Sequence, residues 1–209
     1  MANETSEEIF NSSVPLYGLV LAGGRSVRMG QDKGAMTWHG KEQRYFMADM
    51  LQTFCDSVYI SCRPDQLSYI DASYHAIVDN VDGAGPIVAI ISAFQQFPSV
   101  AWLVVACDLP LLSNVSLLQL TSGRDYSAMA STFSSPFDGL PEPLITIWEP
   151  AAYPALQSHF SEGFKCPRKA LIRNAEKVRL LTPVSPHELL NTNTPEDTKI
   201  VYGHLYDNI

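Results

Sequence analysis

Short apolar runs rich in strand formers alternate with segments whose apolar residues recur three and four positions apart. The runs predict strands over 17–22, 57–62, 75–78, 101–107, 127–132, 143–148 and 178–181. The helical spacing predicts helices over 41–54, 86–97, 114–120, 149–159, 167–174 and 195–205. In the first helix the stripe is Phe46, Met47, Met50, Leu51 and Phe54. The run Ala101-Trp102-Leu103-Val104-Val105-Ala106-Cys107 is apolar without interruption, which marks a strand covered on both faces, as in parallel sheets. Strands and helices alternate through the first two-thirds of the chain, so the pattern predicts an α/β domain with a mainly parallel sheet. Proline-rich sequence from 134 onward, with Pro136, Pro141 and Pro143, is expected to add an antiparallel edge or an embellishment. Pro86 suits the first turn of its helix. Thr194 and Asp197 suit the cap and third position of the last one.

The polar punctuation carries the candidate chemistry. After the first strand, residues 23–33 hold three glycines, two arginines and a lysine. Glycine permits tight turns and close approach of backbone to a ligand. Successive N–H groups in such a turn make an anion-binding concavity, and the cations add charge and directed donors. The loop is neither GxxxxGK[ST] nor GxGxxG, because Gly23 and Gly24 are adjacent and Gly30 is followed by Gln31-Asp32-Lys33. It reads as a phosphate cradle, or as a tight turn only.

Two aspartates end strands. Asp108 follows the most apolar one, where ligands bind in open α/β sheets. It could ligate Mg²⁺ between phosphate oxygens, or cap the next helix. Asp79 could accept hydrogen bonds from a base or ribose, or make an Asx turn with Asn80. The five histidines share no ligand spacing, and no GxSxG is present.

The 209 residues suffice for one large domain, and the net charge of −8 argues against general nucleic-acid affinity. Yet Arg25, Arg28, Lys33 and Lys41 are four of only fourteen basic residues, a local basic loop that suits a small anionic ligand. No pair of the four cysteines has CxxC spacing, so free thiols in a reducing cytosol are expected. Residues 1–13 are polar without an apolar core, and read as a flexible tail rather than a signal peptide. Residues 14–209 then form a single domain. No apolar run is long enough for a membrane span.

The stretch Leu21-Ala22-Gly23-Gly24-Arg25-Ser26-Val27-Arg28-Met29-Gly30-Gln31-Asp32-Lys33 resembles the signature of the MobA-like nucleotidyltransferases. Further matches follow in order: Asp79 with Gly85-Pro86, then Cys107-Asp108-Leu109-Pro110, then Asn191-Thr192-Asn193-Thr194-Pro195-Glu196-Asp197. The last favours the molybdenum cofactor guanylyltransferase branch. The resemblance spans about 17–200. It implies a three-layer α/β/α Rossmann-like fold of the nucleotide-diphospho-sugar transferase type. It assigns Leu21, Ala22 and Gly23 to the base and ribose, and Gly24, Arg28 and Lys33 to the triphosphate. Ser61 and Asp79 go to the guanine nucleotide side, Asp108 to Mg²⁺ and nucleotide, and Asn191 and Asn193 to molybdopterin, with Arg168 near that phosphate. Lys33, Arg28 and Asp108 are thus the expected catalytic residues.

The chain departs from the family pattern in three places. Ser61-Cys62-Arg63 stands where asparagine is common, Ile87-Val88-Ala89 where Leu-Ala-Gly is usual, and Leu109 where threonine is frequent. The implied reaction is transfer of GMP from GTP to the terminal phosphate of molybdopterin, with Mg²⁺ as cofactor and release of pyrophosphate. Use of CTP with molybdopterin, or of a nucleotide with a sugar phosphate, is the alternative within the fold; a non-catalytic nucleotide-binding module is the alternative outside it. A cytoplasmic monomer or weak homo-oligomer is expected, serving cofactor-delivery proteins and molybdoenzymes and binding neither nucleic acid nor membrane.

Overall fold

The computed structural model describes residues 14–24, 33–81, 83 and 85–206. The expected tail and Arg28 lie outside them. Seven strands form one sheet: β1 (Leu16–Leu21), β2 (Ser57–Cys62), β3 (His75–Val78), β4 (Ala101–Ala106), β5 (Ala130–Ser134), β6 (Pro141–Trp148) and β7 (Val178–Leu181). Their order is β3-β2-β1-β4-β6-β5-β7. All pairs are parallel except those of β6, which runs antiparallel to both β4 and β5. The mainly parallel sheet is as expected, but the antiparallel strand sits inside the sheet rather than at its edge.

Proline in an interior strand requires that no ladder donor be missing. Here Pro141 opens β6, and Pro143 lies where the register with β5 shifts between Thr132 and Ser134. The Thr132 and Thr146 hydroxyls, 3.0 Å apart, both lie within hydrogen-bond distance of Glu142 O, at 2.5 and 2.6 Å. The irregularity is therefore held from within the sheet.

Helices α1 (Gln43–Leu51), α2 (Pro86–Gln96), α3 (Asn114–Ser122), α4 (Tyr153–Ser161), α5 (Pro167–Arg173) and α6 (Pro195–Tyr206) complete the order. Side chains alternate across strands, and β4 shows the consequence. Ala101, Leu103 and Val105 pack with Met47 and Leu51 of α1 and Leu117 and Leu120 of α3. Trp102 and Val104 pack on the other face with Ile87, Ile90 and Phe94 of α2, Leu156 of α4 and Leu171 of α5. Every β4 residue is buried, as its uninterrupted apolar run implied. The fold is the three-layer α/β/α arrangement. A Cβ on Gly18 of β1 would stand 3.1 Å from Leu51 and 3.2 Å from Val58, so glycine there lets α1 lie close to the sheet.

Candidate active site

Strand order places the site. β1 and β4 are neighbours, but the chain moves from β1 outward to β2 and β3 before returning to β4. Segments leaving the carboxyl ends of β1 and β4 therefore diverge and leave a crevice, the usual ligand position in such sheets. The glycine loop leaves β1 and Asp108 follows β4, so both border that crevice. Leu21 and Ala22 are tied on both sides: Ala22 N–H donates to Ser61 O at 3.1 Å, and Cys107 N–H donates to Leu21 O at 3.4 Å.

On the β2 and β3 side, Asp79 N–H donates to Cys62 O at 2.9 Å. Its carboxylate accepts from Ser61 Oγ at 2.8 Å, while Asn80 N–H goes to Ser92 Oγ at 3.1 Å. Burial pushes the Asp79 carboxyl above its ordinary value, and the Ser61 hydroxyl and the Arg63 charge oppose this. A Cβ on Gly23 would lie 2.9 Å from Asp79 Oδ2. Gly23 is thus required by the carboxylate beside it, whereas a Cβ on Gly24 meets nothing within 4 Å. Gly85, with φ of 97°, takes a conformation suited to glycine and opens α2 ahead of Pro86.

On the β4 side, Lys33 joins three parts of the chain. Its Nζ donates to Asn193 Oδ1 at 2.6 Å and lies 3.7 Å from Asp108 Oδ2. Thr192 N–H donates to Asp108 O at 2.8 Å. Asn193 is itself fixed by the start of α6. Asp197 Oδ2 accepts from Asn193 N–H and Thr194 N–H, each at 2.8 Å, and Asp197 N–H donates to Thr194 Oγ1 at 3.2 Å. The expected cap is present, and it positions a site residue as well as ending a helix.

Asp108 does not cap α3, because Ser113 does so by accepting from Val115 N–H at 3.2 Å. Burial pushes the Asp108 carboxyl up, with Lys33 opposing. Asp108 Oδ1 and Asn191 Oδ1 are buried without a hydrogen-bond partner among the described residues. Orphaned oxygens at this position suit a hard cation. No group of three or more His, Cys, Asp or Glu able to hold a metal occurs among the described residues. Magnesium fits that chemistry, since it commonly takes one or two protein carboxylates and completes its shell with phosphate oxygens and water.

The far wall carries residues that local pattern did not reveal. Glu142, in the irregular part of β6, has its carboxyl pushed up by burial, with the Asp138 and Asp108 charges adding to the effect. Glu142 Oε1 lies 3.8 Å from Arg168 Nη2. Arg168 donates to Pro141 O at 2.8 Å and to Asp138 Oδ1 at 2.7 Å. The Arg168 guanidinium is thus engaged by the β5–β6 connection. A glutamate between two prolines in an apolar run was the available signal for Glu142.

The sequence matches the MobA-like NTP transferase domain over residues 18–178. The chain belongs to that family. This MobA-like chain is 32% identical over 195 residues to the molybdenum cofactor biosynthesis bifunctional protein of Synechocystis sp., covering 93% of this chain and 54% of the relative. It spans about half of that longer protein. A molybdenum cofactor guanylyltransferase of Pseudomonas fluorescens is 30% identical over 186 residues, covering 87% of this chain and 91% of the relative. Among solved structures, a molybdopterin-guanine dinucleotide biosynthesis protein A from Archaeoglobus fulgidus has a TM-score of 0.75 at 22% identity, covering 92% of this chain and 100% of that one. A CMP:2-keto-3-deoxy-manno-octonic acid synthetase complexed with CTP has a TM-score of 0.69 at 12% identity, covering 93% and 100%. Both likenesses show the fold. No helix among the described residues is long and apolar enough to cross a membrane.

Proposed function

We propose that this protein transfers GMP from GTP to the terminal phosphate of a molybdopterin cofactor and releases pyrophosphate. The observation that carries the reading is the Lys33 ammonium, held between Asn193 and Asp108. It links the end of the glycine loop, the aspartate after β4 and the Asn-x-Asn-Thr-Pro-Glu segment. The names of the relatives agree with it.

The chemistry needs few protein groups. The acceptor phosphate is already an anion, so no protein nucleophile or strong base is required. Catalysis rests on positioning and on charge stabilisation. Lys33 is placed to stabilise charge on the transferring and departing phosphates, and Arg28 is assigned the same task. Asp79 and Ser61 border the base and ribose side, with Leu21, Ala22 and Gly23 as backbone walls and Gly24 toward the triphosphate. Asn191 and Asn193 face the acceptor side, which Arg168 borders. Asp108, with its unpartnered Oδ1, would hold Mg²⁺. Bound there, Mg²⁺ would neutralise phosphate charge and hold the oxygens for in-line displacement.

GTP and molybdopterin are then the small-molecule partners, in a cytoplasmic setting, with hand-over to delivery proteins or molybdoenzymes. The test is a thermal-shift panel of GTP, CTP, ATP and UTP with Mg²⁺, followed by pyrophosphate release in the presence of molybdopterin. A ligand that binds only the folded state raises its apparent stability. The largest rise with GTP, and turnover only with acceptor, are expected. A larger rise with CTP overturns the guanylyl assignment, and binding without turnover in the presence of acceptor supports a nucleotide-binding module instead.

A further inference from the structure

Arg63 stands just after β2, where the family commonly has asparagine nearby, and its side chain turns back over the glycine loop. Its Nη1 donates to Gly23 O at 2.6 Å and reaches Gly24 O at 3.3 Å. Its Nε and Nη2 form a two-pronged pair with Asp65, each at 3.0 Å. Gln66 completes the unit: Nε2 reaches Ala22 O at 3.4 Å, and Oε1 accepts from Arg63 N–H at 3.1 Å. Three successive carbonyls, of Ala22, Gly23 and Gly24, are thus engaged from the β2 side by the Arg63 and Gln66 side chains, and Gln66 is tied to the Arg63 backbone.

The peptide bond makes this consequential. In a planar trans peptide the C=O of one residue and the N–H of the next point in opposite directions. Holding Ala22 O and Gly23 O toward β2 turns the N–H groups of Gly23 and Gly24 away from β2. That is the side on which β4 and Asp108 lie. Glycine lacks the side chain that would otherwise help to fix these peptides, so their orientation has to come from elsewhere. Four of the five Arg63 guanidinium N–H groups go to backbone carbonyls and to Asp65, so the side chain is arranged chiefly to hold the loop rather than as a phosphate ligand.

We infer that Arg63, together with Gln66, is a positioning residue that pre-orients the Gly23 and Gly24 N–H groups for the nucleotide's phosphates. The inference rests on the reading of this crevice as a nucleotide triphosphate site. It does not depend on which base is preferred.

Arginine and lysine separate a brace from a mere positive charge, because lysine keeps the charge but lacks the planar fork. The experiment measures Kd by calorimetry for Mg²⁺ complexes of GTP, CTP, ATP and UTP with wild type, Arg63→Met, Arg63→Lys, Gln66→Ala and the Arg63→Met/Gln66→Ala double variant. Melting temperatures are recorded without ligand, and KM and kcat are measured with molybdopterin as acceptor. The brace is judged on whichever nucleotide the wild type binds best. About tenfold weaker binding is expected for Arg63→Met. Arg63→Lys restores little of it, KM rises more than kcat falls, and the melting temperature moves little. Arg63→Met and Gln66→Ala should be non-additive, because they hold the same peptides. Wild-type affinity in Arg63→Met, full rescue by Arg63→Lys, or a loss of binding that merely tracks a loss of stability overturns the brace. Wild-type preference for CTP overturns the guanylyl reading while leaving the brace to be judged on CTP. A wild type that binds none of the nucleotides overturns both.

Discussion

Replacing Lys33 with alanine removes the 2.6 Å hydrogen bond to Asn193 and the 3.7 Å ion pair with Asp108. A hydrogen bond to a charged group contributes about 1.5–3 kcal/mol at most. Here the Lys33 and Asp108 side chains keep 19% and 16% of their exposure, so water takes over part of what is lost. Asn193 also stays anchored through Asp197. The net folding loss is then about 1 kcal/mol. For a chain of this size that lowers the melting temperature by about 2–4 °C. The kinetic loss is larger. Removing one pre-placed charge-stabilising donor typically costs about 10²–10³ in kcat, or roughly 2.7–4 kcal/mol. The kinetic effect should therefore exceed the stability effect by about 2 kcal/mol. Melting curves without ligand, set beside Mg²⁺-dependent pyrophosphate release from GTP with acceptor, separate the two. A melting temperature lower by tens of degrees with kcat/KM within a few-fold of wild type would refute the reasoning, because Lys33 would then be a structural residue.

Five other variants probe the rest of the molecule. Gly23→Ala places a Cβ 2.9 Å from Asp79 Oδ2 and should weaken nucleotide binding about tenfold; Gly24→Ala, with nothing within 4 Å, should leave the melting temperature unchanged. Ser61→Ala removes the hydrogen bond that opposes the burial-driven rise of the Asp79 carboxyl. The loss of GTP binding on acidification should then begin at a higher pH, as calorimetry across a pH series would show. Because the folded Asp79 carboxyl is raised, its contribution to stability is present at low pH and is lost as pH rises through that raised value. Asp79→Asn should accordingly gain on wild type in melting temperature as pH increases. At the opposite end of the sheet, Arg124 and Glu149 keep only 5% and 3% of their side-chain exposure and are joined at 2.6 and 2.9 Å. Glu149→Gln leaves a buried guanidinium unpaired, a loss of about 3–5 kcal/mol. The melting temperature should fall by roughly 10 °C, while KM for GTP at permissive temperature stays unchanged.

Where the elements differ from the sequence pattern, local polar chemistry explains the shift. A strand was expected from 127, but β5 begins at Ala130. Ser127 N–H and Oγ instead bond to Asp125 Oδ1 at 2.9 and 2.6 Å, an Asx turn that competes with strand pairing. A helix was expected from 149, but Pro150–Ala152 form a 3₁₀ turn and α4 begins at Tyr153. Pro154 lacks an N–H, which is tolerated only in a first turn. The strand at 143–148 begins two residues earlier, at Pro141, and the helix at 41–54 contracts to Gln43–Leu51. Strand direction was out of reach. Whether β6 pairs parallel or antiparallel, and at an edge or inside, depends on its partners rather than on its own residues.

The sequence by itself determined the alternation of elements, the double burial of β4, the glycine and cation content of the loop, and the cap at Thr194 and Asp197. All of these depend on side-chain periodicity, backbone preference or neighbours a few residues apart. Only the tertiary structure decided that β1 and β4 adjoin and that Lys33 meets Asn193, 160 positions away. It also decided that the Asp108 charge reaches the buried Glu142 carboxyl, that Gly23 must spare Asp79, and that Arg63 and Gln66 hold the carbonyls of the glycine loop. Those contacts come from long-range strand pairing, which leaves no local periodic trace. Local sequence supplies the loop's glycines and Lys33; the segments after β2, β3 and β4 bring them Arg63, Asp79 and Asp108.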